Sequence, residues 1–142
     1  MNNENVTEWL RLADEDLYSA KILNEAARKP HEIICYHCAQ ATEKYLKGYL
    51  TYQNIVPEKT HDLVFLIGLC IEKDNEFRNI KMQCEFLNRF ANDIRYPHKY
   101  EVDENDVDFS IKAIEKIKNI KPMTDIRNAI AIETNKEDNA VE

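Results

Sequence analysis

A chain of 142 residues, 44% of them hydrophobic, suits one domain built around one core. Two glycines and four prolines are few for a turn-rich all-β chain and fit long helices. The formal charge of −7 argues against broad nucleic-acid binding, which needs a net basic face, and leaves room only for a local basic pocket.

No stretch approaches the roughly 18 uninterrupted apolar residues of a membrane span. The segment MNNENVTEW lacks the basic and apolar regions of a signal peptide, so the expected location is cytoplasmic. Four cysteines in such a protein are expected to be reduced rather than paired.

Residues Met1 to Asn5 read as a frayed end. Thr7 is the expected cap of a first helix whose stripe is Val6, Trp9, Ala13, Leu17, Ala20 and Ala27. Asp14, Glu15 and Asp16 read as a solvated face rather than a metal site. Lys29-Pro30 ends this helix and starts the next, because proline lacks an amide hydrogen and suits a first helical turn. So short a connection makes the two helices antiparallel neighbours.

The segment from Ile33 to Tyr52 carries two apolar stripes. Ile34, Cys38, Ala41, Tyr45 and Tyr49 form one; Cys35, Ala39, Thr42, Leu46 and Leu50 form the other. A surface helix needs only one stripe, so this is the expected central helix of a bundle. Gln40, Glu43, Lys44 and Lys47 remain on a narrow polar strip. Glu43 and Lys47 have the spacing and order of an exposed ion pair, and the strip reads as solvated, with Lys44 and Lys47 as candidate phosphate ligands. Cys35 and Cys38 make a C-x-x-C inside a helix, with no strand or glycine turn before it, and read as small buried hydrophobes. Gly48 costs about 1 kcal/mol relative to alanine in a helix, and is expected to permit close approach by another one.

A loop from Asn54 to Lys59 leads to Thr60-His61-Asp62-Leu63, where Thr60 is the expected cap and Asp62 favours the positive helix end. Leu63, Leu66, Ile67, Cys70 and Ile71 make the buried face. His61 is a candidate ligand contact, weighed against a structural or solvated first-turn histidine. Glu72 to Asn79 reads as a polar linker. A fourth helix is expected from Ile80 to Arg95, with Ile80, Cys84, Leu87, Phe90, Ala91 and Ile94 inward, ending before Tyr96-Pro97. Asp103 caps a fifth, with Val107, Ile111, Ile114 and Ile117 as its stripe, and Pro122 ends it. The tail 123–142 is expected to hold one marginal turn around Ile126 to Ile132 before becoming disordered. The expected division is therefore a helical domain over 1–122 and a polar tail over 123–142.

The cluster Arg89, Arg95, Tyr96, His98, Lys99 and Tyr100 is the richest in chemistry. Arginine grips a phosphate through two parallel hydrogen bonds, histidine moves a proton near neutral pH, and tyrosine offers a surface on which a base stacks. The competing structural reading has Arg95 capping its own helix or pairing with Asp93 or Glu101. Pattern alone yields a helical domain without a function.

The sequences CYHCAQATEKYLKGYL at 35–50, THDL at 60–63 and RYPHKY at 95–100 resemble, in that order, the HEPN family over Val6 to Ile120. These are small helical proteins of bacteria and archaea, often encoded beside a minimal nucleotidyltransferase. The resemblance implies an all-α, up-and-down bundle of four long helices plus a shorter one, assembled as a symmetric homodimer. Some branches are RNases or toxins whose signature is an arginine followed, after four to six residues, by histidine. Here only Tyr96 and Pro97 separate Arg95 from His98, and Arg89 is too far upstream, so the signature is not met. The chain resembles instead a branch with an arginine-tyrosine-proline break, for which nucleotide binding has been proposed. On that resemblance Arg95, Tyr96 and Pro97 match the motif after the fourth helix, Gln40, Glu43, Lys44 and Lys47 the central-helix motif, and His61 and Asp62 the start of the third helix.

The function expected is a homodimeric module that binds nucleotide or RNA phosphate beside a nucleotidyltransferase-type partner. Its ligand contacts would be Arg95, Tyr96, Lys99, Lys44, Lys47 and His61, with no cofactor or metal. The alternatives are a metal-independent endoribonuclease toxin using Arg95 and His98, and a purely structural dimerisation partner.

Overall fold

The computed structural model describes residues 3–92 and 101–141. Every regular element is a helix, without a strand among the described residues: α1 (Asn3–Asn24), α2 (His31–Tyr52), α3 (Leu63–Lys73), α4 (Lys81–Leu87), α5 (Glu104–Asn119) and α6 (Lys121–Val141), with 3-10 turns at Asn75–Ile80 and Asn88–Phe90. α2 touches each of the other five helices, as its two stripes require. Ile34, Cys35, Cys38, Ala39, Tyr45 and Leu46 are all fully enclosed.

α1 runs antiparallel to α2 and packs on it closely. Gly48 makes this contact: a Cβ there would stand 3.2 Å from Trp9 Cβ and 3.3 Å from Leu10 Cδ2. Thr7 lies inside α1 rather than capping it, and the helix ends at Asn24, so Ala27 falls in the connection. Asn3 at the head of α1 donates to Glu133 on α6, which holds a turn that the sequence reads as frayed.

Asp62, not Thr60, caps α3. Its Oδ1 accepts from the amides of Val64 and Phe65 at 3.0 and 3.2 Å, while the Thr60 hydroxyl oxygen accepts from the Asp62 amide. The expected polar linker is instead the end of α3 and a 3-10 turn capped by Asp74. A three-residue repeat puts Phe77 and Ile80 on one side, and both are buried. Phe77 meets Tyr49 edge-on at 4.5 Å. The fourth helix is not the continuous rod expected: α4 spans seven residues and tightens into a 3-10 turn at Phe90.

Asp103 caps α5 as expected, in a reciprocal pairing with Asp106 at 3.0 and 3.1 Å. Val107, Ile114 and Ile117 are buried, and Ile111 is partly so. Ile120 is extended, at φ −66° and ψ 153°, and breaks the rod before α6. Pro122 then sits in the first turn of α6, where a missing amide costs nothing. Instead of one marginal turn, a helix continues to Val141, anchored by the buried side chains of Met123, Ile126 and Ile130.

All four cysteines are free and buried. Burial pushes the Cys35 thiol up to about 11 and Cys84 to about 12, so both stay protonated at neutral pH. The C-x-x-C therefore packs as small apolar groups, Cys35 receiving a weak bond from the Ser110 hydroxyl at 3.4 Å.

Candidate functional site

The polar strip of α2 is not solvated. Glu43 and Lys47 side chains are 6% and 8% exposed, and Lys47 Nζ stands 3.2 Å from Glu43 Oε2. The ammonium also lies 5.6 Å from the centre of the Trp9 ring on α1, an aromatic face that replaces part of its lost hydration. The other carboxylate oxygen, Oε1, is 2.6 Å from His61 Nδ1, in the segment just before α3. His61 itself is 58% exposed. A covered carboxylate at Nδ1 fixes the ring's orientation and leaves the Nε2 edge for solvent or a ligand.

This corner is built by three pieces of chain. α2 supplies the acid and the lysine one turn apart. The Asp62 cap fixes the start of α3, and with it His61 next door. Asn88, after α4, then ties the corner shut: its Oδ1 accepts from the Leu63 amide at 2.9 Å and its Nδ2 donates to Asp62 Oδ1 at 3.4 Å.

Lys44 is placed differently. It pairs with Asp16 of α1, whose other oxygen lies 2.9 Å from His37 Nδ1. Asp14 accepts the Tyr45 hydroxyl at 2.5 Å and both terminal nitrogens of Arg127 at 2.9 Å. Burial alone would raise the Asp14 pKa, yet the hydrogen bonds from Arg127 and Tyr45 outweigh it and hold the carboxyl below its ordinary value. Asp14 and Asp16 are thus interhelical ties, correcting the solvated face expected for them.

Arg89 lies 5.2 Å from the rings of both Phe86 and Phe90 and 3.8 Å from Asp106. Ile94, Arg95, Tyr96, Pro97, His98, Lys99 and Tyr100 lie outside the described residues. Of the residues singled out from sequence, the structure therefore brings together Glu43, Lys47 and His61, and holds Lys44 apart on Asp16. Trp9 was missed as a site residue because its spacing matches the apolar stripe of α1. Its signal was that a tryptophan sat among residues otherwise no larger than leucine.

A model of the HEPN domain matches residues 6–124. The crystal structure of an archaeal HEPN homologue superposes with a TM-score of 0.65 at 24% identity, covering 88% of this chain and 97% of that one. No functionally curated protein matches. The family match spans the three sequence blocks and runs from α1 into the first turn of α6, and the chain belongs to the HEPN domain family.

Proposed function

We propose that this HEPN protein is a homodimeric module that binds nucleotide or RNA phosphate, acting beside a nucleotidyltransferase-type partner. The observation that carries the reading is the 2.6 Å contact from buried Glu43 to His61, with most of the imidazole left open. A protonated ring donates from both nitrogens, one to Glu43 and one to a phosphate oxygen. Arg95 and Tyr96 of the arginine-tyrosine-proline motif supply the bidentate grip and stacking surface that a nucleotide needs, and Lys99 adds a charge just beyond it. Lys47, already paired, acts by neutralising Glu43 rather than by touching phosphate.

HEPN domains commonly dimerise, and α3 supports a self-paired form of this one. Its first nine residues, LVFLIGLCI, are apolar all round, a pattern that normally marks a helix covered on every side. Val64 and Phe65 are nevertheless exposed, and nothing lies within 4 Å of a Cβ placed on Gly68. A second copy is the cover proposed. Light scattering at micromolar concentration is expected to return a dimer, and a monomeric mass would overturn that part.

Isothermal titration with nucleotides tests the site. Binding is expected in the wild type and at least about tenfold weaker in His61→Ala and Arg95→Ala; a wild type that binds nothing, or an Arg95→Ala variant that binds normally, would sink it. The Glu43–His61 pair also favours a second reading, metal-independent RNA cleavage with Arg95 and His98, in which the carboxylate-oriented His61 is a second proton-transfer histidine. RNA incubated in chelator decides: cleavage abolished by His98→Ala supports this reading, and an inert wild type removes it.

A further inference from the structure

A cleft of about 400 Å³ opens between the first half of α1, the end of α2 and the loop that follows. Its apolar walls are Trp9, Leu12, Ile55, Val56 and Pro57. The loop wall is preformed. Asn54 adopts the left-handed conformation at φ 61°, its amide donates to Thr51 O, and the Ile55 amide reaches back to Leu50 O, both at 2.9 Å. That pairing of bonds ends a helix by folding the chain back over its last turn, which here carries Ile55 to Pro57 opposite Trp9.

Three polar residues complete the lining: Asn5, Glu8 and Thr51. Thr51 already donates its hydroxyl proton to the Lys47 carbonyl at 2.8 Å, so its oxygen is left as an acceptor. Glu8 is held by Arg11 through both oxygens and still has lone pairs to offer. Among the described residues, no lysine or arginine lines the cleft. That lining offers an anionic phosphate no cationic partner, whereas a flat, neutral ring carrying hydrogen-bond donors is matched by an aromatic wall and an acceptor rim.

We infer that this cleft takes the base of a bound nucleotide, and specifically an amino-bearing base such as adenine. The inference rests on the phosphate-binding reading above and gives that site its second half. Trp9 touches Lys47, Lys47 touches Glu43, and Glu43 holds His61, so the base cleft and the phosphate corner lie two side chains apart.

Trp9 is the single tryptophan of the chain, which makes its emission a direct report on the cleft. The experiment titrates the full chain with adenosine, uridine and AMP, following Trp9 emission alongside calorimetry. Adenosine, which carries no phosphate, is expected to change the emission saturably, and uridine, which lacks an exocyclic amine, to bind at least about fivefold more weakly. Glu8→Ala removes the rim carboxylate with both its acceptor oxygens from an exposed ion pair without disturbing the core, and is expected to weaken adenosine severalfold. Absence of any saturable change with adenosine overturns the inference, as does equal binding of adenosine and uridine or an unaltered Glu8→Ala variant. AMP binding seen by calorimetry with unchanged Trp9 emission defeats the base cleft and spares the phosphate corner. Adenosine binding as tightly as AMP supports the cleft and removes the phosphate corner.

Discussion

Two carboxylates beside the polar edge of α2 are each shared by one histidine and one lysine. Asp16, on α1, takes His37 and Lys44, and side-chain exposures of 13%, 27% and 21% mean that all three are partly covered. Glu43, on α2, takes Lys47 and His61, and here the cover is uneven: acid and lysine are sealed while the histidine stands out. In the first cluster the histidine and the lysine come from α2 and the acid from α1, so the bonds clasp two helices. In the second the sealed pair orients a single outward imidazole. Evenly shared burial makes a fastening; graded burial makes a presented group.

The largest test of this contrast is Glu43→Ala. It strands the Lys47 ammonium in the core, and a buried pair broken from one side costs about 3–5 kcal/mol. Urea denaturation measures the loss, and adding Lys47→Met is expected to restore most of it by removing the stranded charge. A double variant as unstable as Glu43→Ala alone would break the comparison.

Asp16→Ala is expected to cost less, about 1–2 kcal/mol, because water reaches His37 and Lys44 when their partner is gone. Equal losses at Asp16 and Glu43 would erase the distinction between the clusters.

The smallest stability effect separates the histidines most sharply. His61→Ala is expected to cost less than about 1 kcal/mol, since Glu43 keeps Lys47 and the ring is mostly in water. AMP binding should nonetheless fall to the level of adenosine. His37→Ala should leave binding intact while loosening the α1–α2 contact, seen as faster amide exchange along that seam.

α2 was legible from its two stripes, because 22 residues of consistent periodicity leave one geometry that buries both. The close approach at Gly48 was legible because a glycine inside a helix has no side chain to hold a neighbour off. The covered state of Glu43 and Lys47 was not: their spacing is that of an exposed pair, and what buries them, Trp9 and His61, comes from distant parts of the chain. α4 was misread as a long helix because apolar positions three apart fit a 3-10 turn as well as an α-helix. α6 was underestimated because Pro122 signals the start of a helix as readily as the end of one. The spacing of Met123, Ile126 and Ile130 already marked a docking stripe.

The four sealed thiols give the molecule a built-in clock. A maleimide or disulfide reagent can react with a core cysteine only when the surrounding helices part, so labelling in native buffer counts openings rather than surface collisions. Cys35 and Cys38 on α2, Cys70 on α3 and Cys84 on α4 sample three separate helices. Their relative labelling rates would reveal whether the bundle comes apart all at once or sheds its short middle helices first.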